Sequence, residues 1–481
     1  MTTIKLDPGA ALLLDALHGA GHAAYAVGGC VRDSLLGLDP HDWDLCTSAR
    51  PEQVMALFGE EKCIPTGLQH GTVTVKQGGR LYETTTFRTE GAYSDGRHPD
   101  AVCFVPEVRE DLARRDFTIN AMAYSAEEGL IDPFGGRDDL AAHLVRAVGE
   151  PERRFEEDAL RILRLYRFAA RFGFAIDPAT GAAARALGPH LDCVSAERIQ
   201  EELLKLLAAP RPGSYLEPAV LAVILPELEP EKQPERFAEL CRTIDRIEPT
   251  AENVPARLAA LLWPLGEAGA RKALRKLKCS NALTDEVTAL VGGSVGSFLL
   301  GHEFELRHPA DALCLERHSH PAGRCPNSNS LFPPQAAVVA VAGHSIARPV
   351  ACGNRVPPQR TVLGETPGTP NTTLTVQAKR LLGRYELPTI QRLTALCSAR
   401  HPEQTGAFAA LRAEAEQLTA ENACCRVSQL AVNGRDLMAA GVRPGPGLRQ
   451  VLNALLEAVI TGQTPNEKDA LLAAAAQFSA S

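Results

Sequence analysis

Short apolar runs of strand type occur in only one part of this chain. AAYAV (23–27), GTVTV (71–75) and LYETTTF (81–87) fall between Ala24 and about Arg137, where helical stretches alternate with them. Beyond about Leu140 these runs stop, and segments such as EEDALRILRLYRFAARF (156–172) and SAERIQEELLKLL (195–207) carry helical periodicity instead. The expected fold is therefore α+β, with an N-terminal mixed β-sheet domain followed by an all-α remainder.

At 481 residues the chain has room for several domains with separate cores. Its composition, 45% hydrophobic and 22% charged, is that of a soluble globular protein, and no apolar run is long enough to span a bilayer. MTTIKLDPGA has neither the basic region nor the apolar core of a secretory signal, so a cytoplasmic location is expected. Thirteen cysteines without a CxxC pair indicate reduced thiols rather than a disulfide framework or zinc ribbon. A net charge of -8 gives no global argument for nucleic acid, so an RNA partner has to be argued from local patches. One window breaks the helical pattern: residues 321–370 hold nine prolines and one carboxylate, Glu365. That composition reads as a disordered insertion or long loop, or as a stretch translated out of its ancestral frame. His318, His320 and Cys325, at irregular spacing, do not read as a metal site.

The stretch YAVGGCVRDSLLGLDPHDWDL (25–45) carries the first chemical signal. Ala23 to Val27 reads as a buried strand, Gly28 and Gly29 as a turn, and Cys30 to Leu36 as a short helix stopped at Gly37. Such a turn lets the main chain approach a ligand closely, and free N–H groups at the helix start favour an anion such as a triphosphate. In Asp42-Trp43-Asp44-Leu45 an extended strand projects both aspartates to one face while Trp43 and Leu45 point inward. Two like charges so close are costly unless a cation lies between them, and oxygen ligands suit Mg²⁺. Further on, Arg161, Arg164, Arg167 and Arg171 share one narrow helix face, opposite Ile162, Leu163, Leu165, Tyr166 and Ala170. An all-arginine stripe repels itself unless it faces anions, which phosphates or base edges would supply. Asp116 either caps a helix beginning at Phe117 or contacts a ligand.

GGCVRDSLLG followed by DWDL resembles the signature of the polymerase β-type nucleotidyltransferases, in the branch of class II tRNA nucleotidyltransferases and bacterial poly(A) polymerases. RRDFTINAMAY (114–124) with IDPFGGRDDL (131–140) resembles the family's ribose-recognition segment, EEDALRILRLYRFAARFGF (156–174) its base-selecting helix, and SAERIQEELLKLL the helix that follows. The resemblance implies a nucleotidyltransferase head (1–140), a helical neck (141–210), a helical body (211–312) and a helical, tRNA-binding tail (375–481), with 313–374 as the irregular proline-rich segment. It implies catalytic and metal-binding roles for Asp42 and Asp44, and triphosphate contacts for Gly28, Gly29 and Arg32, with Asp33 near them. It also puts Arg115 on the nucleotide, and Asp116 with Asn120 around the ribose. Asp158 and Arg161 would read the Watson–Crick edge of CTP or ATP, with Arg164 and Arg167 on the same nucleotide-facing stripe. Glu83 is a candidate third carboxylate.

The implied activity is template-independent addition of CCA to tRNA with Mg²⁺, requiring no membrane and no obligate protein partner. The loop FRTEGAYSDGRHPDAVCFV (87–105), with Arg88, Asp95 and Arg97, resembles the flexible loop of enzymes that complete the A addition. The basic segment ARKALRKLKC (270–279) and NGRDLMAAGVRPGPGLRQVL (433–452) resemble parts of the body and tail that hold tRNA. No histidine and aspartate clusters of an attached phosphohydrolase domain are present. The alternatives are a poly(A) polymerase, an enzyme adding only CC or only A, and a catalytically silent RNA-binding relative.

Overall fold

The computed structural model describes residues 3–90, 102–293 and 370–478. Asp95, Arg97, His318, His320, Cys325 and the proline-rich window up to residue 369 lie outside these.

The N-terminal sheet has strands β1 (Ala24–Val27), β2 (Leu45–Thr47), β3 (Cys63–Gly67), β4 (Thr72–Gln77), β5 (Arg80–Thr86), β8 (Ala123–Ser125) and β9 (Gly129–Ile131), in the order β3-β4-β5-β2-β1-β8-β9. All neighbours are antiparallel except β2 and β5, so the sheet is mixed, as expected. A separate hairpin pairs β6 (Arg88–Glu90) with β7 (Val102–Phe104), the two described arms of the loop around residues 87–105. Central strands β1 and β2 are buried along their whole length, which explains the unbroken apolar run at AYAV. Tyr25, Val27, Cys46, Phe87, Leu112, Ala121, Ala123 and Val148 form the core beneath them.

Helices α1 (Pro8–Gly19) and α2 (Gly29–Leu35) flank β1. The first begins where the Asp7 carboxylate accepts from the N–H groups of Gly9 and Ala10, with Pro8 in the first turn. In sequence there follow α3 (Pro51–Phe58), α4 (Val108–Ala113) and α5 (Gly136–Ala141), and then the all-helical part. That part opens with α6 (Pro151–Glu157), α7 (Leu160–Phe172), α8 (Pro178–Ala186) and α9 (Ala196–Leu207). Gly173, at φ 68°, ends α7 in the left-handed conformation. It continues through α10 (Pro218–Ile224), α11 (Pro234–Arg246), α12 (Val254–Leu262), α13 (Gly266–Lys276) and α14 (Asn281–Gly292). Helical structure returns at Pro370, a few residues before the Thr375 suggested by patterning, because proline is well placed in a first helical turn.

The described residues fall into two compact units. Residues 3–90, 102–293 and 378–426 make the first, and 370–377 with 427–478 the second. The stretch 375–481, read from sequence as one tail, is thus divided. The second unit has its own core of Leu437, Val451, Leu455, Val459 and Leu471, from helices Gly434–Ala439, Pro446–Ile460 and Lys468–Phe478. No helix among the described residues is long and apolar enough to cross a membrane.

Candidate active site

Backbone pairing in the sheet joins the glycine turn to the paired aspartates. The Val27 N–H donates to the Asp44 carbonyl at 2.9 Å, so the end of β1 and the entry to β2 lie together. Gly28, at φ 77° and ψ -121°, has a conformation that side chains resist, and a Cβ there would lie 2.9 Å from Arg115 Nη1. The backbone conformation therefore requires glycine at 28, whereas Arg115 Nη1, the end of a flexible side chain, can move aside. Gly29 is different: it is the first residue of α2, and an added Cβ would meet only Arg32 Nη2 at 3.7 Å, an ordinary contact.

Asp42 and Asp44 are exposed while Trp43 and Leu45 are buried, the alternation read from the sequence. Both aspartates sit in the extended lead-in to β2 rather than in the strand itself. The parallel register Leu45↔Thr84 sets Glu83 level with Asp44, and Glu83 is exposed between the buried Tyr82 and Thr84. Displacement of water by surrounding protein, and then Glu83, raise the Asp44 carboxyl above its usual range; Arg115 opposes this and Asp42 adds to it. Asp44 nonetheless keeps solvent-exposed surface. Crowded oxygen donors of this kind fit a divalent cation. Among the described residues no group of three or more His, Cys, Asp or Glu is placed to hold a metal ion alone.

Arg115 comes to Gly28 from just past the end of α4. The fully buried Asp111 holds it by an ion pair of 3.3 Å and holds Arg114 at 2.9 Å. Burial would raise the Asp111 carboxyl, but Arg114 and Arg115 outweigh it and hold it low. The Nε of Arg115 is buried and has no hydrogen-bond partner.

Arg32, only 3% exposed, lies over the rings of both Phe168 and Phe172, at 5.2 and 4.8 Å from their centroids. It donates to Asp33 Oδ1 at 2.8 Å and, through Nη1, to Asn120 Oδ1. Asp33 also pairs with Arg171 at 3.1 Å. Asn120 in turn donates to Asp116 Oδ1 at 3.1 Å, which also accepts the Phe117 N–H at 2.8 Å. The other oxygen of Asp116 accepts Nε and Nη2 of Arg164 at 2.9 and 2.6 Å. No α-helix begins at Phe117; a single 3-10 turn, Thr118–Asn120, follows it without a side-chain cap. Asp116 is therefore a junction between α2 and α7 rather than a helix cap.

The arginine stripe also differs from its sequence reading. Its charge is met by carboxylates of this chain, brought in from other elements or from the turn before. Arg161 pairs with Glu157 at 2.8 Å, Arg164 with Asp116, Arg167 with Glu202 at 2.5 Å, and Arg171 with Asp33. Arg161 also donates to the carbonyls of Arg154 and Arg114, both at 3.1 Å, and is largely buried. The carbonyl of Asp158, just beyond α6, accepts the Arg161 N–H at 3.0 Å, but its carboxylate is turned to another partner. It pairs with Arg198 of α9, at 3.2 Å from Nη1 to Oδ1 and 2.8 Å from Nη2 to Oδ2, while Oδ1 also accepts the Leu160 N–H.

Residues 24–146 match the family pattern "Poly A polymerase head domain", 173–232 match "Probable RNA and SrmB-binding site of polymerase A", and 385–475 match "tRNA nucleotidyltransferase domain 2 putative". The CCA-adding enzyme of Lactiplantibacillus plantarum is 32% identical over 462 residues, covering 96% of this chain and 93% of that protein. The chain belongs to the CCA-adding enzyme family. The Leuconostoc citreum enzyme is 44% identical, but over 252 residues that span 52% of this chain and 60% of the relative. The crystal structure of the Bacillus stearothermophilus CCA-adding enzyme in complex with CTP superimposes with a TM-score of 0.68 at 30% identity, covering 98% of each chain. A Thermotoga maritima CCA-adding enzyme complexed with tRNA shares the fold, with a TM-score of 0.61 at 20% identity.

Within this family member, the structure gathers Gly28, Arg115, Asp44 and Glu83 at one end of the sheet. It links Arg32, Asn120, Asp116 and Arg164 in one buried chain beside them. Asp111, Glu157, Arg198, Glu202 and the two phenylalanines around Arg32 complete these contacts and were not singled out in the sequence. The pH dependence of stability provides a test. Burial works against the Asp116 charge, but Arg164, with Asn120 and Arg161, overturns this and holds the carboxyl far below its unfolded value. A depressed folded value means that its contribution is present above the unfolded range near about pH 4 and is lost as pH falls through the folded value. Asp116→Asn should cost about 3 kcal/mol at neutral pH, the scale for breaking a buried pair, and flatten the acid limb of the stability curve. Urea melts of both proteins from neutral to acid pH check this; parallel curves would refute it.

Proposed function

We propose that this chain completes the 3′ end of tRNA by adding C, C and A from CTP and ATP, releasing pyrophosphate and using no nucleic-acid template. The carrying observation is the backbone bond from Val27 to Asp44, which sets the Gly28 turn and Arg115 beside the Asp42–Asp44 pair. In this reading the RNA 3′-hydroxyl attacks the α-phosphorus of the nucleotide in line with the departing pyrophosphate. Gly28 lets the main chain come close to the triphosphate, and the unpaired Nε of Arg115 donates there. Gly29 opens the adjoining helix on the same triphosphate. Arg32 and Asp33, braced by Phe168, Phe172 and Arg171, keep that turn rigid. Asn120 and Asp116 set the ribose position beside it. Asp42 and Asp44, with Glu83 alongside, would hold Mg²⁺, which when bound would stabilise charge on the attacking and leaving oxygens. Most of the rate would come from positioning and electrostatics, as phosphoryl chemistry requires.

Base choice is assigned to Asp158 and Arg161. A carboxylate accepts from the exocyclic amine and a guanidinium donates to the ring acceptor, a pattern that CTP and ATP share and that GTP and UTP lack. Arg161 spends three of its protons on Glu157, Arg154 and Arg114, so Nε–H and one proton of Nη2 are left for the nucleotide. Arg164 and Arg167 back it from the same face of α7. The basic side chains Lys272, Arg275, Lys276 and Lys278 are exposed on and just after α13, and suit the tRNA backbone. The same reading places the protein in the cytoplasm.

The test is incubation with Mg²⁺ and a tRNA ending at its discriminator base, with CTP, ATP or both, resolved by product length. Two additions with CTP and a third only when ATP is present are expected. A stop after CC, a long A tail, or no extension by folded protein would each reject the proposal in a different direction.

A further inference from the structure

Tyr166 lies on the face of α7 opposite the arginine stripe, and its hydroxyl has no part in the proposed reaction. The residue is 5% exposed, and its oxygen is buried with no hydrogen-bond partner among the described residues. Buried hydroxyls in folded proteins almost always have a partner, so this one is set to take one from a ligand or water. Tyr166 lines a cavity of about 190 Å³, walled also by α8 with its cap Asp177, by Tyr215 of the turn Pro212–Tyr215, and by Glu217 at the start of α10. Burial, then Glu217, push the phenol above its ordinary range and Arg185 of α8 opposes them, so its hydroxyl end faces these charged walls. At about 30 Å³ per water the space is that of about six waters, which admits a small molecule but not a nucleotide.

The free hydrogen-bonding capacity of the walls is mostly that of acceptors. The Glu217 carboxylate accepts no hydrogen bond from a described residue, and its ionic neighbour, Arg185 Nη1, is 3.9 Å away, beyond hydrogen-bond range. Oδ2 of Asp177 accepts from the N–H and the hydroxyl of Thr180, both at 2.9 Å, while Oδ1 has no partner among the described residues. Two carboxylates thus face one guanidinium, and that guanidinium is 53% exposed, where water weakens its field. An anion would be attracted by Arg185 and repelled by both carboxylates. An ammonium has the reverse balance, brings three donors to these acceptors, and suits the two tyrosine rings. Beside Tyr166, Tyr215 and Leu216 the lining continues with Leu163, Leu206, Val220 and Leu221, which fits an apolar stem.

We infer that this cavity is a binding site for a small primary amine, taken as its ammonium. Glu217, Asp177 and the Tyr166 hydroxyl hold the head, and a short apolar stem lies along the leucine-lined side. None of these residues belongs to the candidate active site, so the inference does not depend on the CCA-adding reading.

The test is a ligand-observed NMR titration of the full chain with butylammonium, butyrate and butanol, which share one stem and differ in the charge of the head. Butylammonium should bind in the millimolar range usual for so small a ligand, and the other two at least about tenfold more weakly. Glu217→Gln should weaken butylammonium by about tenfold, the scale of a hydrogen bond to a charged group, and Tyr166→Phe by about fivefold. Arg185→Gln should tighten it by about threefold, because a competing cation is removed. Thermal melts accompany each variant. Tyr166→Phe should melt at or above the wild-type temperature, since its hydroxyl has no bond to lose, so weaker binding there is not a loss of fold. A preference for butyrate, or equal binding of butanol, would overturn the amine assignment. Butylammonium binding that Glu217→Gln and Tyr166→Phe leave unchanged would put the amine elsewhere, and no binding would make the cavity a water site; either result overturns the inference. Should Glu217→Gln fail to fold, Tyr166→Phe and Arg185→Gln decide by the same criteria.

Discussion

Asp44→Asn should lower CCA addition by at least about a thousandfold, equivalent to about 4 kcal/mol of transition-state stabilisation. The substitution preserves shape and leaves the main-chain bond from Val27 in place, so any loss is due to the carboxylate charge. Stability should respond in the opposite direction. Asp44 is crowded by protein and by the Glu83 and Asp42 carboxylates, and its raised proton affinity records the cost of holding it charged. The neutral amide removes that cost, so the thermal midpoint of Asp44→Asn without added metal should equal or exceed that of wild type. Loss of activity with a gain in stability is the signature of a residue retained for chemistry rather than for folding. A variant with near-normal activity, or one that loses activity and stability together, would refute the assignment. Glu83→Gln separates the third carboxylate from the pair: if Glu83 shares the cation, its variant needs more Mg²⁺ for half-maximal rate.

Legibility in the sequence followed the range of the interaction. The β1–turn–α2 unit could be read to within a residue, because strand burial, Gly28 and Gly37 are all local signals. The Asp42–Asp44 alternation was also local, and it held although no strand is formed there. Apart from Glu157, four residues before Arg161, the partners of the arginine stripe could not be read in the same way. Arg164 meets Asp116 from 48 positions away and Arg171 meets Asp33 from 138 positions away, and no spacing rule reaches that far. A stripe that looked unbalanced on its own helix is balanced in three dimensions. Glu202 did leave a trace: it is an acid within the apolar stripe of Ile199, Leu203 and Leu206, where a carboxylate must have a buried partner. Of the double glycine, only Gly28 has a backbone conformation that needs a glycine; Gly29 is helical.

Among the described residues Arg257 is the largest fully buried side chain, and its sequence setting, VPARLAALL, gave no sign of it. Its guanidinium donates only to main-chain carbonyls: Nη1 to Leu207 at 2.7 Å and Ala209 at 2.5 Å, Nε and Nη2 to Ile247 at 3.1 and 2.5 Å, and Nη2 to Pro210 at 3.5 Å. These carbonyls lie at or just past the C-terminal ends of α9 and α11, where unpaired oxygens and the negative ends of two helix dipoles meet. One cation therefore closes two helix ends that would otherwise repel each other. Burial lowers its proton affinity and Asp245 opposes that shift, yet the carbonyl cage still requires the charged form. Arg257→Met fills a similar volume but strands several buried acceptors, and is expected to cost about 3–5 kcal/mol. Arg257→Lys should recover only part, because a single ammonium cannot span both helix ends. Urea melts give the magnitude, and Arg257→Met within about 1 kcal/mol of wild type would overturn the reading. The consequence reaches the candidate site through α9, which also carries Arg198 and Glu202. At temperatures where Arg257→Met is still folded, its nucleotide KM should rise before its kcat falls.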